Sequence, residues 1–353
     1  MVNKKIYFYT KYYTNSASVR ERFITYRDYL KKNKYQVVIR PLISNSLFKK
    51  RIIQGISFSP QILISLIKRI FQILFSKKNL LIIQYELIPF FPAILERFLK
   101  FKGIPYLIDI DDAIFHNYDS SNNKITKILF KKKYNVIFKN CHSVLSGNLY
   151  LKKKSLEFGA KKTFLFPTTV NNKTLKYKKN KKFTVVWIGS PSTTKYLNDL
   201  SKEIDILSSF YDVKFRIIGS KDCLLKKNKN IEFLDWSINK ENKYISQCHV
   251  GIMPLRNTKW EKGKCGYKLL MYMKHRLPVI ASPVGANLNI INNGREGFFA
   301  KKKKDWIKYI LKLKNNNKLS QKLGNNGKKK ILKNYTKNIY YKKFNKIINE
   351  IKI

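Results

Sequence analysis

Residues Trp260 to Gly297 read WEKGKCGYKLLMYMKHRLPVIASPVGANLNIINNGREG, and this stretch decides the fold. Its pattern predicts a loop, a helix, a strand, a loop and a second helix. Leu277 to Ala281 is a short apolar strand, and the turn that follows it, Ser282-Pro283-Val284-Gly285, brings bare backbone to its carboxyl end. Open α/β sheets bind ligands at the carboxyl ends of their strands. We therefore expect Pro283, Val284 and Gly285 to line a nucleotide site.

Two lysines precede that strand. Lys264 and Lys268 are four residues apart, at the start of the run with helical spacing. Residues with this separation project from one face of a helix, so we expect both ammonium groups near its beginning, where they can hold phosphate. The alternative for any one of them, in a chain with so many lysines, is a solvated surface role.

The rest of the chain alternates strand-like and helix-like runs, which is typical of βαβ units and a mostly parallel sheet. The predicted strands are Lys5–Thr10, Tyr35–Ile43, Leu80–Glu86, Pro105–Ile110, Ser143–Ser146, Thr163–Phe166, Phe183–Ile188, Val213–Ile218, Ile231–Leu234 and Val250–Met253. The predicted helices are Ser18–Lys32, Phe91–Lys102, Lys124–Lys139, Asn148–Phe158, Thr194–Phe210 and Glu241–Gln247, with further helix beyond Lys301.

A chain of 353 residues is long enough for two domains, because single cores stop growing at roughly 250 to 300 residues. The polar segment Asn171–Lys182 has no apolar periodicity and is predicted to be a linker. We therefore expect an α/β protein with two doubly wound domains, residues 1–172 and 183–335, joined through residues 173–182. Residues 336–353 are predicted to form a C-terminal helix that packs back on the first domain.

The formal net charge of +52 suggests nucleic acid or an anionic membrane as a partner. Lys, Asn and Ile are enriched together along the whole chain, which favours a genome-wide residue bias over a dedicated binding stripe. A functional charge stays open as the alternative, because even biased charge attracts anionic lipid by about 1 kcal/mol per basic residue near the surface. No motif of a recognised nucleic-acid-binding module is present, so we expect no nucleic-acid partner.

The four cysteines, Cys141, Cys223, Cys248 and Cys265, show no CxxC spacing, which argues against a disulfide framework or a zinc site. The N-terminus, MVNKKIYFYT, is too short and polar for a signal-peptide core, so we expect a cytoplasmic protein. Ile62–Phe75 is the longest apolar run, but Lys68 and Arg69 interrupt it and it falls short of the ~20 residues of a spanning helix. Such a basic apolar helix either lies in the membrane interface or packs on a sheet.

Several motifs resemble those of the retaining GT-B glycosyltransferases of family 4, in particular a bacterial branch used in cell-surface polysaccharide synthesis. They run in family order across nearly the whole chain: Ser18-Val19-Arg20, YLIDIDDAIF (106–115), SGNLYL (146–151), FPTTVN (166–171), WIGSPST (187–193), GIMPL (251–255) and KGKCGYKLLMYM (262–273). The resemblance implies the GT-B fold, two Rossmann-like domains facing across a cleft. It also implies transfer of a sugar from a nucleotide-sugar, bound mainly by the second domain, to a lipid-linked or growing glycan held mainly by the first. We expect no cofactor beyond the nucleotide-sugar co-substrate, and a peripheral location on the anionic inner face of the cell membrane.

Departure of a nucleoside diphosphate builds negative charge on its phosphate, so fixed donors and cations there lower the barrier. Lysines and helix ends can do this without a metal. The resemblance implies that Lys195, six residues after Gly189, contacts phosphate. Ser190 stands where the family usually has an arginine, and we expect Lys264 or Lys268 to supply the missing charge.

The chain departs further from the family at the donor ribose. Family members usually carry two glutamates eight positions apart, and the corresponding residues are Gly263 and Met271. We interpret Tyr267 and the neighbouring lysines as a branch-specific replacement, and we include Gly266 in the predicted donor site. The missing glutamates also raise a second hypothesis, a non-catalytic GT-B-like protein that binds a membrane or partner enzymes. A basic nucleic-acid-binding protein is the third.

Asp109, Asp111 and Asp112 form the other chemical cluster, at the end of a predicted strand. The sequence DIDD resembles a metal-binding DxD, which holds a divalent cation through carboxylate oxygens. We favour catalytic roles for Asp111 and Asp112, because Asp111 falls where the family often has a histidine near the reacting sugar, and a carboxylate there can steady the transition state. The alternative is that these aspartates cap the next element and pair with basic neighbours.

Arg20 and Arg22 lie at the start of the first helix, where the family meets acceptor or donor phosphate. The planar fork of arginine binds phosphate oxygens in pairs, although a plain surface role is the alternative. Trp187, Trp236 and Trp260 are predicted to be packing residues rather than sugar platforms. His116 is predicted to have no special role.

Overall fold

The computed structural model describes residues 5–53, 60–171, 177–221, 223–225 and 228–351. The chain divides into two compact units. Unit 1 comprises Met1–Thr168, Gly263–Cys265 and Tyr340–Ile353, and unit 2 comprises Thr169–Lys262 and Gly266–Ile339. The stretch Trp260–Gly297, hereafter called the decisive stretch, therefore contributes three residues, Gly263–Cys265, to unit 1.

Unit 1 contains a six-stranded sheet in the order β2-β1-β3-β4-β5-β6. Its strands are β1 (Lys5–Thr10), β2 (Gln36–Pro41), β3 (Leu80–Gln84), β4 (Tyr106–Ile110), β5 (Ser143–Ser146) and β6 (Thr163–Leu165), and all pairs are parallel. Its helices are α1 (Ala17–Val19), a π-helical turn (Arg20–Ile24), α2 (Thr25–Lys32), α3 (Asn45–Ile53), α4 (Pro60–Leu74), α5 (Ile94–Phe101), α6 (His116–Asp119), α7 (Lys124–Phe130), α8 (Lys133–Asn140) and α9 (Leu149–Glu157).

Unit 2 contains a second six-stranded parallel sheet in the order β12-β11-β10-β7-β8-β9. Its strands are β7 (Thr184–Ile188), β8 (Lys214–Ile218), β9 (Ile231–Leu234), β10 (Val250–Met253), β11 (Val279–Ala281) and β12 (Gly297–Phe299). A 3-10 turn (Pro191–Thr193) precedes the helices α10 (Lys195–Asn198), α11 (Ser201–Phe210), α12 (Glu241–Ser246), α13 (Lys259–Lys262), α14 (Tyr267–Lys274), α15 (Asn287–Ile290), α16 (Lys303–Asn315) and α17 (Asn317–Asn334). The last helix, α18 (Lys337–Asn349), belongs to unit 1 from Tyr340 onward.

The central strands are apolar because helices cover both faces of each sheet. All five residues of β3 (LLIIQ) and of β4 (YLIDI) are buried, as a doubly covered parallel strand requires. The strand order reverses between β1 and β3 in unit 1 and between β7 and β10 in unit 2. Such a reversal opens a crevice at the carboxyl ends of the two strands, where ligands bind in open α/β sheets.

The predicted α/β class with two doubly wound parallel sheets is confirmed. The strands predicted at Lys5–Thr10, Ser143–Ser146, Ile231–Leu234 and Val250–Met253 have these bounds, and the other predicted strands are present but shorter. Strand β12 is an addition, because Gly297–Phe299 is too short to give an alternating pattern. Of the predicted linker, residues 172–176 lie outside the described residues.

The prediction of one continuous helix was wrong at two places, because the chain forms two shorter helices at each. Lys124–Lys139 forms α7 and α8, and Thr194–Phe210 forms α10 and α11. The reason is clearest for α7, which buries none of its side chains, whereas α8 buries Tyr134, Ile137 and Phe138. A turn between them lets only α8 pack inside the unit.

The last helix contributes to unit 1. The ring of Phe344 lies 4.9 Å from that of Tyr26, which in turn lies 5.3 Å from Phe166. Trp306, Ile310 and Leu313 are buried on one side of α16, as their spacing predicts. The region Ile62–Phe75 falls mainly in α4, and within the described ranges no helix is both long and apolar enough to span a bilayer.

The stability of unit 2 should depend on the titration of His249. Its Nδ1 atom accepts a hydrogen bond from the Thr184 N–H at 3.0 Å, and burial, with help from Lys179, lowers its pKa to about 4. The unfolded chain has a histidine pKa of about 6.5 and so binds the proton more tightly. We expect the free energy of unfolding to fall as the pH drops from about 6.5 to about 4.

The variant His249→Gln retains a hydrogen-bond acceptor but cannot titrate in this range. Urea denaturation at several pH values should show a shallower loss of stability for this variant than for the wild-type protein. Some loss will remain, because burial also lowers the pKa of His275, to about 3. Identical pH dependence in the two proteins would contradict the assignment.

Candidate functional site

The carboxyl edge of the first sheet is organised around Asp109, near the end of β4. Asp109 is buried and accepts hydrogen bonds at both oxygens from Arg22, at 2.7 Å from Nε and 2.9 Å from Nη2. Burial alone lowers the pKa of Arg22, but Asp109 outweighs this effect and raises the pKa above its usual value. The guanidinium therefore stays charged. Arg22 Nη1 also lies 3.3 Å from the hydroxyl of Thr168.

Arg22 reaches this position from the π-helical turn at Arg20–Ile24. π-Helical turns interrupt regular helices and often occur at functional sites. The bonds to Asp109 and Thr168 occupy the Arg22 guanidinium, so in this structure it is an internal ion-pair partner and not a surface ligand for phosphate. Arg20 is half-buried, and its Nη1 donates to the Thr14 carbonyl at 2.8 Å.

Asp111 is contacted by a residue that the sequence did not indicate. Tyr85, directly after β3, has φ +63°, and its hydroxyl donates a short hydrogen bond to Asp111 Oδ1. Positive φ is strained for a bulky residue and is retained only where its surroundings enforce it. Burial, reinforced by Asp111 and Asp112, holds the pKa of Tyr85 well above its ordinary value. The hydroxyl is thus a permanent donor to Asp111.

Asp112 pairs with a lysine from the decisive stretch. Lys264 Nζ lies 2.9 Å from Asp112 Oδ1, within unit 1. Burial raises the pKa of Asp112, Lys264 opposes this shift, and the net pKa lies above the usual value. Burial lowers the pKa of Lys264, but Asp112 outweighs it, so that the net pKa is raised.

The segment Gly263–Cys265 is anchored by more than this ion pair. The side-chain amide of Asn148 donates to the Lys264 carbonyl at 3.0 Å, and the Cys265 thiol lies 3.0 Å from the Asp111 carbonyl. Gly147 allows this approach, because a Cβ atom there would lie 2.2 Å from the Cys265 sulfur. The predicted catalytic aspartates and Lys264 are therefore neighbours.

The sequence DIDD (109–112) was interpreted as a metal site, as catalytic carboxylates, or as aspartates that pair with basic neighbours. Asp109 and Asp112 pair with basic residues, as the structural alternative expects. In the part of the chain that the structure describes, no three His, Cys, Asp or Glu side chains are placed so that they could share a metal ion. His116 is buried at the start of α6, with its two ring nitrogens 2.7 Å from Asp119 and from Tyr150.

The carboxyl edge of the second sheet brings together the glycine-rich turns. Gly189 and Ser190 follow β7, and a Cβ atom on Gly189 would lie 2.4 Å from the buried ring of Trp187. Trp187 is a packing residue, as predicted, with 1% of its surface exposed. Lys195, the first residue of α10, is half-exposed, with its Nζ 4.0 Å from Glu261.

The helix of the decisive stretch begins later than its sequence predicts. Gly266 adopts φ +70° and caps α14, whose first residue is Tyr267. The expectation that Lys264 and Lys268 leave one helix face was therefore wrong, because a left-handed residue separates Lys264 from the helix. Lys268 stays in unit 2, and its Nζ lies 4.2 Å from the centre of the Trp187 ring.

The Ser282–Gly285 turn follows β11, as predicted. Ser282 accepts a hydrogen bond at its hydroxyl from the Leu255 N–H, at 3.0 Å, and so links the ends of β10 and β11. Pro283 is half-buried and Val284 buried, and Gly285 has φ +55°. A Cβ atom on Gly266 would lie 3.7 Å from Ala286, so the start of α14 adjoins this turn.

Sequence reasoning missed two polar residues at this edge, Glu261 and Asn287. Glu261 is buried and accepts hydrogen bonds from Tyr196, at 2.7 Å, and from Thr258. Burial raises its pKa, but these bonds outweigh burial and leave the pKa below its usual value, so it is a carboxylate. Among the described residues, Trp187 Nε1 and Asn287 Oδ1 are buried without a hydrogen-bond partner. Such orphan groups commonly mark sites completed by water or a ligand.

The comparisons with known proteins agree with this architecture. The family model for glycosyl transferases group 1 matches residues 182–316, which hold all six strands of the second sheet and its carboxyl-edge turns. A search of curated protein sequences found no match. The family-model match thus covers most of unit 2, including Gly189, Lys195 and Lys268.

Solved structures match nearly the whole chain. HepE from Anabaena, in complex with UDP and glucose, is 10% identical with a TM-score of 0.73, covering 99% of this chain and 100% of that one. Sucrose-phosphate synthase from Thermosynechococcus elongatus is 11% identical (TM-score 0.74, 98% of each chain). A glycosyltransferase from Rickettsia africae is 17% identical (TM-score 0.70, 99% of this chain and 98% of that one). The chain has the GT-B fold.

Removing one partner of the Arg22–Asp109 pair should strongly destabilise the protein. Arg22→Ala leaves a buried carboxylate and Asp109→Leu leaves a buried guanidinium, so each should lower the free energy of unfolding by about 3–5 kcal/mol. The double variant Arg22→Ala, Asp109→Leu leaves no unpaired charge and should lose much less than the sum of the single losses. Urea denaturation of the four proteins measures this.

The matched control is Arg27→Ala, which removes a partly exposed arginine of helix α2 that pairs with the exposed Asp28. Exposed pairs contribute about 0–1 kcal/mol. A loss for Arg22→Ala no larger than that of the control, or strictly additive losses in the double variant, would contradict the proposed ion-pair role.

Proposed function

We propose that this chain is a glycosyltransferase that moves a sugar from a nucleotide-sugar to a lipid-linked or growing glycan in cell-surface polysaccharide synthesis. The observation that carries the proposal is the match to glycosyl transferases group 1 over residues 182–316, which hold the glycine turns, Lys195 and Lys268. The GT-B fold of the whole chain supports it. We further propose that transfer is metal-independent and retaining, as the resemblance to family 4 implies.

The donor binds, in this proposal, at the carboxyl edge of the second sheet. Gly189, Ser190 and the Pro283-Val284-Gly285 turn follow the strands β7 and β11, and we propose that their backbone contacts the nucleotide. Lys268 and Lys195 supply positive charge, and α14 begins without a side-chain cap, so its dipole adds partial positive charge beside Tyr267. A uridine diphosphate sugar is the first donor to test, since HepE has been solved with UDP-glucose.

The leaving diphosphate gains negative charge as the sugar becomes oxocarbenium-like. Fixed cations at the phosphates, already in place before the reaction, lower this barrier without a metal ion. Because Asp112 neutralises Lys264 at 2.9 Å, we assign Lys264 to the aspartate cluster and leave the phosphates to Lys195 and Lys268.

Asp111 is proposed as the catalytic carboxylate of unit 1. Its carboxylate, oriented by the Tyr85 hydroxyl, can accept a hydrogen bond from the sugar or steady the positive charge of the transition state. Asp112 supports it electrostatically and is held by Lys264. The Arg20 side chain, near the same edge, is proposed to meet the phosphate of the acceptor.

Donor affinity should depend on the two unit 2 lysines. A thermal-shift and calorimetry panel of UDP, GDP, ADP and CMP sugars first identifies the donor, which at about 100 times its dissociation constant should stabilise the protein by about 2.7 kcal/mol. Lys195→Ala and Lys268→Ala should then each weaken the binding of that donor by about 10-fold to 100-fold, because a hydrogen bond to a charged group contributes about 1.5–3 kcal/mol.

Lys322→Ala is the matched control, because it removes the same charge from an exposed position on α17 of the same unit. It should bind the donor as the wild-type protein does. Unchanged affinity in the Lys195→Ala, Lys268→Ala double variant would refute the donor site, and failure of every nucleotide-sugar to bind would refute the proposed function.

Asp111→Asn should separate catalysis from donor binding. The amide keeps the shape of the side chain but removes the negative charge, so kcat for release of the nucleoside diphosphate should fall by about 100-fold or more, with donor affinity unchanged. Asp28→Asn, at an exposed site of unit 1, is the control. The assay is run in excess EDTA, where wild-type activity should persist. Loss of activity with EDTA, or of donor affinity with Asp111→Asn, would instead favour a metal site at DIDD.

A further inference from the structure

One face of unit 1 exposes large apolar side chains where a packed helix would bury them. Helix α4 buries Arg69 and Ile73 but leaves Ile64, Ile67, Phe71, Leu74 and the following Phe75 exposed. These positions recur every three or four residues and so form one stripe along the helix. Phe71 and Phe75 are 54% and 76% exposed, and their rings are stacked with centres 6.1 Å apart.

The stripe continues onto α5. Lys102 Nζ donates to the Leu74 carbonyl at 3.3 Å, which places the end of α5 beside the end of α4. The adjacent Phe101 is 89% exposed. Ile94 lies seven residues earlier, on the same face of α5, and is also exposed.

Helix α7 extends the same surface. A groove of about 210 Å³ is lined by Ile94 and Arg97 of α5 together with Leu129 and Lys132. The three aliphatic side chains of α7, Ile125, Ile128 and Leu129, are 69%, 72% and 64% exposed. The exposed apolar residues of α4, α5 and α7 are hereafter called the apolar surface.

The part of the sequence that contains α4 carries only positive charges. Between Asp28 and Glu86 the sequence has no acidic residue and eleven Lys or Arg. Exposed lysines adjoin the stripe and its extension on α5: Lys68, Lys77, Lys78, Lys100 and Lys102. An apolar stripe flanked by lysines is the pattern of a helix that lies in the interface of an anionic bilayer. A protein partner would have to supply both an apolar groove and a matching acidic rim, whereas a bilayer with anionic headgroups supplies both along its whole extent.

We infer that the apolar surface docks on an anionic lipid bilayer, with α4 lying in the headgroup region and its flanking lysines on the phosphates. This inference goes beyond the proposed sugar transfer, because bilayer binding requires neither donor nor acceptor. It also gives the first unit direct access to a lipid-linked acceptor.

The experiment is co-sedimentation of the full chain with sucrose-loaded vesicles, in the absence of nucleotide-sugar. Vesicles contain either phosphatidylcholine alone or phosphatidylcholine with one third phosphatidylglycerol. We expect binding to the mixed vesicles that is at least tenfold tighter than to the neutral ones. The variant Ile67→Ser, Phe71→Ser, Phe75→Ser should lose at least tenfold of this binding, while its circular dichroism and its donor affinity stay unchanged.

The matched control removes equally exposed apolar side chains from unit 2, as Phe210→Ser, Leu224→Ser, Ile238→Ser, and should bind vesicles as the wild type does. Lys68→Gln, Lys77→Gln, Lys78→Gln should weaken binding by about fivefold per lysine, given ~1 kcal/mol for each basic residue. Its control, Lys308→Gln, Lys318→Gln, Lys322→Gln, has the same net charge and should bind nearly as the wild type does.

Several results would overturn the inference. Absence of binding to the mixed vesicles would refute it, and so would equal binding by the serine variant and the wild-type protein. Equal losses in the two lysine variants would show that net charge alone acts. A concentration-dependent dimer that the serine variant abolishes would assign the surface to self-association. None of these outcomes tests sugar transfer, so failure here leaves the donor-binding experiment informative.

Discussion

The buried ion pair between Arg22 and Asp109 is the interaction on which the edge of the first sheet depends. Asp109 lies near the end of a strand whose five residues are all buried, so its charge must be compensated locally. The π-helical turn delivers Arg22 to it, at 2.7 Å. With Asp109 fixed, the two following aspartates are presented at the sheet edge, one to Tyr85 and one to Lys264. In a chain with 73 basic and 21 acidic residues, three aspartates are thus held close together by specific partners.

The carboxyl edge of the second sheet differs from that of the first, because it carries lysines and glycine turns instead of a cluster of aspartates. Gly266 in a left-handed conformation starts α14 beside the Ser282–Gly285 turn, and Lys268 rests over the ring of Trp187. A cation on an aromatic face is held in place without losing its charge. Hydrogen bonds from Tyr196 and Thr258 keep Glu261 ionised. Its carboxylate lies 4.0 Å from Lys195 Nζ and attracts that ammonium group. The two units therefore carry complementary chemistry, carboxylates in the first and cations in the second.

The large net charge is spread along the whole chain, but part of it lies next to the apolar stripe of α4. Lysines spread along the whole chain are consistent with residue bias, but those beside the stripe of α4 adjoin exposed phenylalanines and isoleucines. The sequence left open whether Ile62–Phe75 packs on a sheet or lies in a membrane interface. The described structure buries only Arg69 and Ile73 of this helix, whose Arg69 donates at 2.8 Å to the Arg40 carbonyl. More than half of the large apolar side chains of α4 are exposed, whereas a helix packed on a core buries its apolar face.

The sequence by itself determined the fold class, most strand positions, the glycine turns and the aspartate cluster, because strand burial and turn chemistry are local and repeat with a fixed period. It could not find Tyr85 or Glu261, since neither belongs to a local pattern and each matters only through residues distant in the chain. It also misplaced Lys264, because the spacing of two lysines does not reveal that a left-handed glycine lies between them. Only the tertiary structure decided which charges meet, and this is so because ion pairs and hydrogen bonds depend on distance in space, not on separation along the chain.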